Sequence, residues 1–209
     1  ILRHYDNLPV TGNRKIARTE STDARKWSRS KTILEGPPLK QLHDMTIFRD
    51  GGVYLGLLGC MNYPSKKSRD GVRQHIELAW SADSYTWQRI SPGTPLIGHT
   101  PAKARKYGAM PCDWGAIFPA APVILEKEIR IYYGASDWYF FDWRKGSLAL
   151  ATLGRDRWAG YEPANTEQPA VLRTVLLDSR GRLLVSADVS GAGSLSVTLL
   201  DEAGRRLAV

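Results

Sequence analysis

One repeat constrains the fold of this chain more than any other feature. STDARKW (Ser21 to Trp27) returns as SADSYTW (Ser81 to Trp87), so Ser-x-Asp-x-x-x-Trp recurs with Asp23 and Asp83 60 residues apart. An alternating run precedes each copy, KIART in the first case and IELAW in the second. Alternation marks a half-buried strand, Asp and Ser favour the turn after it, and Trp opens the next strand. Self-similarity at such a period is the signature of stacked copies of one supersecondary unit. A looser version, GRDRW, ends at Trp158, 71 residues beyond Trp87.

A second pair of segments completes the unit: VYLGLLG (53–59) matches IRIYYGA (129–135). HDMTIF precedes the first and CDWGAIF the second. Each unit then reads as four strands, near 44–49, 53–59, 75–81 and 86–90 in one and near 115–125, 129–135, 147–153 and 157–161 in the other. Residues 14–34 supply the last two strands of a preceding unit. A repeated four-stranded antiparallel unit is a propeller blade. The expected fold is therefore all-β, a partial β-propeller of about two and a half blades over residues 1–162. A ring needs about four to eight blades, so upstream chain or self-association is expected to supply the rest. From Glu162 the texture changes: Pro163, Asn165 and Pro169 read as a linker, and VLRTVLL, RLLVSADV and SLSVTLLD follow between polar turns. Short alternating strands of this kind predict the start of an incomplete β-sandwich over residues 163–209.

Composition narrows the partners. Seven Trp and nine Tyr interleaved with Gly, Pro and Asp agree with an all-β chain. No apolar run approaches the ~20 residues of a membrane-spanning helix, so no membrane partner is expected. The net charge of +8 is clustered in residues 14–31, 66–75 and 103–106. Solvated strand edges account for such charge; an anionic polysaccharide or a nucleic acid would also suit it. No nucleic-acid-binding motif accompanies it, and no nucleic-acid partner is expected. Cys60 and Cys112 lack ligand-type neighbours at metal spacing, so neither a metal nor a cofactor is assigned. Burial habits favour free buried thiols over a disulfide. The chain opens on Ile1 without a signal peptide, as a processed, truncated or fragmentary product would.

Strand parity sorts the loops into two faces. The entry to the first strand of each unit, the loop after its second strand and the exit of its fourth share one face, which carries Asp44, Asp113 and the loops 62–73 and 136–146. The Ser-x-Asp turns fall on the opposite face, where Asp23 and Asp83 are expected to cap their own hairpins. Paired carboxylates on one rim suit glycosidic cleavage, one as acid and one as nucleophile or base, which makes Asp44 and Asp113 the catalytic candidates. Capping a strand or pairing with a rim arginine would equally employ them. The loop DWYFFDWR (137–144) is too aromatic for an ordinary connection; it lines a ligand site, meets a partner or packs on its own fold. Sugars stack on aromatic rings and share hydroxyl hydrogen bonds with polar side chains. His43, Tyr63, Arg69, Trp114, Asp137, Trp138 and Arg144 are accordingly the substrate-binding candidates.

The runs VYLGLLGCMNY, IELAWSADSYTWQRI, PLIG, DWGAIFPAAPVILEKEIRIYYGASD and SLALATLGRDRWAGYEP together resemble the later blades of five-bladed-propeller glycoside hydrolases, the invertase and arabinanase superfamily of families 32 and 43 and their relatives. That resemblance implies a secreted or periplasmic hydrolase acting on a poly- or oligosaccharide, with a β-sandwich after the propeller. It also implies three inner-strand carboxylates, the first of them upstream of Ile1. The family patterns N-D-P-N-G, R-D-P and E-C-P are absent, and no Glu stands at the positions of Asp44 and Asp113. A non-catalytic carbohydrate-binding or assembly module is the alternative. The Asp-turn-Trp repeat also resembles a sialidase Asp box, without the glycine of that box or an evident arginine cluster.

Overall fold

The structure, a computed structural model, describes residues 12–67, 69–102, 110–177, 183–189 and 191–207. The chain divides into two units, 1–160 and 161–209. The basic run 103–106 lies outside the described residues.

The first unit is all-β, with no helix among the described residues. Strands β1 (Lys15–Arg18) and β2 (Lys31–Glu35) form an antiparallel hairpin around the first copy of the repeat. Strands β3 (Lys40–Asp50), β4 (Val53–Asn62), β5 (Arg73–Ser81) and β6 (Gln88–Ile90) follow as a four-stranded sheet in sequence order, every neighbour antiparallel. All four strands expected here from the sequence form. The second copy of the repeat turns the chain from β5 into β6, as the first turns it from β1 into β2.

The next sheet departs from expectation at both ends. The single strand predicted over 115–125 is split into β7 (Ile117–Pro119) and β8 (Val123–Ile124), both paired with β9 (Glu128–Ser136). Pro119 and Pro122 explain the break, because a proline offers no N–H to the ladder. Strand β10 (Gly146–Gly154) pairs with β9 over its whole length. No strand forms at 157–161 among the described residues. Trp158 instead folds back on the preceding sheet, its indole N–H donating to Asp50 Oδ2 at 2.8 Å and its ring meeting Phe48.

One apolar layer joins the two sheets. Leu55, Leu57, Ile76 and Leu78 from the first meet Ile117, Ile129, Ile131 and Tyr133 from the second. A smaller cluster, Leu34 with Leu42, Leu58, Ala79 and Trp87, seats the β1–β2 hairpin on the opposite face of β3–β6. Each sheet-on-sheet contact thus buries alternate residues of the same strands, as the sequence alternation requires.

In the second unit the strands predicted over 163–209 are unpaired among the described residues; an isolated bridge, Leu200 to Arg206, stands there. Their apolar side chains stay open to solvent, Val171 at 92% and Val175 at 81%. Alternation marks one face of a strand as apolar, but a sandwich needs a second layer to cover it, and no such layer forms among the described residues.

Candidate functional site

The site begins with a bulge. Leu42 pairs with Cys60 and Met45 with Leu58, so His43 and Asp44 together oppose Gly59. Two residues facing one bend the strand and re-aim its side chains. A Cβ on Gly59 would overlap the Asp44 carboxylate, so only glycine leaves room for the acid here. Asp44 Oδ1 accepts from Gln74 Nε2 at 3.3 Å and lies 3.3 Å from His43 Nδ1. The same Gln74 amide donates to the Ile117 carbonyl at 2.8 Å, which ties Asp44 to the start of β7. Gln74 itself is fully buried, while the Asp44 side chain remains 34% exposed. Asp44 is therefore a held carboxylate that still faces solvent.

Beside it stands an aromatic platform. The loop 137–145 is closed at its base by Asp137, whose Oδ1 accepts from the Lys145 N–H at 2.8 Å. The loop then docks on 62–72, with the Phe140 N–H donating to the Val72 carbonyl at 2.7 Å. Phe140 and Phe141 pack against Met61, Tyr63 and Val72. The Phe140 ring also meets His43 at 5.1 Å and Phe118 at 5.6 Å. Trp114, Trp138 and Tyr139 form a second ring cluster in the same loop region. Guanidinium groups cover this platform: Arg14 and Arg69 over Phe141, Arg144 over Phe140, and Arg73 over Trp114. Next to it an open groove of about 500 Å³ is lined by Phe118, Ser136, Asp142, Trp143 and Arg144, among others.

The sequence candidates thus separate by role. His43, Asp44, Arg69, Trp138 and Arg144 belong to one surface around the loop 137–145, with Tyr63 buried under it against Phe141. Asp137 and Trp114 are buried beneath it, the first as the loop's clasp and the second as the plate under Arg73. Asp113 is held by other groups than Asp44. Its Oδ2 accepts from the Tyr133 hydroxyl at 3.2 Å, and its Oδ1 is buried without a hydrogen-bond partner among the described residues. Burial first, and then the Asp113 charge, push the Tyr133 hydroxyl up to about 12. Burial, with the positive charge of Arg73, pushes His99 down to about 4, so its ring is neutral at pH 7.

A buried polar cluster went unnoticed in the sequence. Glu77, with 1% of its side chain exposed, takes His75 Nε2 at 3.0 Å, Arg89 Nε at 3.0 Å and the Gly93 N–H at 3.0 Å. Burial alone would raise its pKa, yet His75, Arg89 and Gly93 hold it down at about 2. Cys60 adjoins this group, and burial with the nearby Glu77 charge pushes its thiol up to about 12. The Cys60, His75 and Glu77 donor atoms lie within 4.8 Å of one another. Arg89 already supplies the positive charge there, its Nη2 3.8 Å from Cys60 Sγ, so the cluster is built as an ion pair rather than as a cation site. Both cysteines are free; Cys60 is buried as expected, whereas Cys112 is exposed because it lies in a turn before β7.

The repeated turns do structural work. Asp23 Oδ1 accepts from the Arg25 and Lys26 N–H groups and from the Ser21 hydroxyl, and Asp83 Oδ1 accepts from Tyr85, Thr86 and Ser81 in the same way. Ala24 and Ser84, the residues after each Asp, share a left-handed backbone with φ of 56° and 66°.

No protein-family model and no curated protein matches the chain. Among solved structures it is similar to one described as a complex of BT0996 and RGII, at 16% identity and a TM-score of 0.43, covering 57% of this chain and 34% of that one. It is also similar to one described as "Glycoside hydrolase", at 19% identity and a TM-score of 0.44, covering 70% of this chain and 38% of that one. The chain spans well under half the length of either.

Proposed function

We propose that this chain forms the substrate-facing rim of a glycoside hydrolase, its two sheets serving as blades of a β-propeller. The observation that supports this best is the Asp44 bulge: a partly open carboxylate, anchored by Gln74 and His43, beside the Phe118–Phe140 rings. A sugar stacked on those rings would bring its hydroxyls or its glycosidic oxygen towards the carboxylate. Asp44 then acts as the reacting carboxylate, and Asp113 serves through Tyr133 as a positioning group. A polymeric substrate would be met outside the cytosol, in a secreted or periplasmic setting.

A second reading is a non-catalytic carbohydrate-binding module. It is favoured by Asp113, whose oxygens are taken up by Tyr133 or buried, since hydrolysis calls for two working carboxyl groups. Turnover of a panel of aryl glycosides separates the two. The enzyme reading expects Asp44→Asn to lower kcat by ~10²-fold or more, the scale of lost acid–base catalysis, with oligosaccharide binding retained. Binding without turnover in the unaltered protein supports the module. Turnover that survives in both Asp44→Asn and Asp113→Asn removes these residues from the chemistry.

A further inference from the structure

Arg14, Arg73 and Arg144 are each half-buried, and none forms an ion pair with a carboxylate among the described residues. Their polar contacts are few. Arg14 gives Nη1 to Met61 Sδ, Arg73 gives Nε to the Trp114 carbonyl, and Arg144 gives Nη1 to the Phe140 and Asp142 carbonyls. A guanidinium has five N–H donors in a planar fork, so each keeps several without a partner among the described residues. Burial lowers the pKa of both Arg73 and Arg144, as expected of cations withdrawn from water without a counter-ion. Arg144 and Arg14 lie over Phe140 and Phe141 of one ring cluster, and Arg73 over Trp114 of the second, both in the region of the loop 137–145.

We propose that this platform binds uronate-containing oligosaccharides, with Arg14, Arg73 and Arg144 pairing to sugar carboxylates while the pyranose or furanose faces lie on the rings. The assignment rests on the carbohydrate reading above and adds the charge of the ligand. A stacked guanidinium leaves its in-plane N–H edge free, and that edge matches a planar carboxylate bidentately. Rings without arginines would suit a neutral sugar; arginines without rings would suit a small anion. The two together fit a sugar acid, and the spread of three arginines over separate rings fits several sugar acids along a chain.

The test uses the full 209-residue chain. Isothermal titration measures binding of oligogalacturonates, oligoglucuronates and oligomannuronates, each beside its carboxyl-reduced neutral counterpart. At least one uronide should bind ~10-fold or more tightly than its neutral twin, the scale of a charge-assisted hydrogen bond. That preference should shrink between 0.05 and 0.5 M NaCl, roughly as screening of partly exposed ion pairs predicts. Arg14→Gln and Arg73→Gln should each weaken uronide binding with neutral binding unchanged, and Arg144→Lys, which retains charge and is gentler on the loop, should do so by less. Neutral oligosaccharides binding as well as uronides would overturn the uronate assignment and leave the carbohydrate reading intact. Binding of neither class would overturn both.

Discussion

Removing the charge of Glu77 while keeping its shape tests the buried ion pair directly. In Glu77→Gln the Arg89 guanidinium, 10% exposed at its side chain, loses its counter-ion, and His75 loses a charged acceptor. Two independent routes give the magnitude. A carboxyl that titrates near 2 in the fold and at 4.5 when free contributes about 3 kcal/mol at neutral pH. Breaking one partner of a buried pair costs about 3–5 kcal/mol in general. The sign follows from the depressed pKa: the contribution is complete above pH 4.5, declines as pH falls, and is gone below about 2. Urea unfolding followed by tryptophan fluorescence should show the variant about 3 kcal/mol less stable at pH 7, a midpoint lower by about 1.5 M. At pH 3 the difference should fall to about 1.5 kcal/mol, because the carboxyl of the unfolded chain is then largely protonated while that of the fold is still mostly ionised. Glu77→Leu combined with Arg89→Leu should recover most of the loss, since no lone charge remains. A loss below about 1 kcal/mol at pH 7, or one equal at both pH values, would refute the reasoning.

Three further outcomes are expected. Gly59→Ala should cost about 1–3 kcal/mol by overpacking and, by displacing the Asp44 carboxylate, should impair saccharide turnover as Asp44→Asn does; melting and turnover that match wild type would contradict the bulge argument. Thiol titration of the native protein should show one fast group, the exposed Cys112, with Cys60 silent until denaturant is added; equal rates for both would contradict the buried protonated thiol. Asp83→Ala should lower the Tm at pH 7, where Thr86, Tyr85 and Ser81 hold the carboxyl at about 2. The stability that Asp83 adds is present above pH 3.8 and lost as pH falls towards 2, so melts of variant and wild type should converge there.

Legibility in the sequence followed the range of the interactions involved. The two Ser-x-Asp turns were readable because their hydrogen bonds close within three residues. Strands β3 to β6 were readable because alternation and turn residues agree along that stretch. Pro119 and Pro122 were visible too, and their spacing could have marked the break in the inner strand. Trp158 could not be placed, because its partner Asp50 lies 108 residues away. Asp44 stood out by its place before a strand, but the bulge that aims it depends on Gly59 across the ladder. Glu77 was hidden for the opposite reason: one acid in an alternating strand reads as solvent-facing until Arg89 and His75 are seen beside it.

By itself the sequence determined the all-β class, the repeat, the turn chemistry and the clustering of aromatic and basic residues in loops 62–73 and 137–145. These follow from propensities and hydrogen bonds that act over a few residues, and they hold wherever the strands come to rest. Tertiary structure alone decided which acids stay open and which are spoken for. Asp44 keeps a solvent-facing carboxylate, Asp113 turns to Tyr133, and Glu77 is locked to Arg89. Exposure and ionisation depend on desolvation and on charges brought together from distant segments, and no local pattern encodes that meeting.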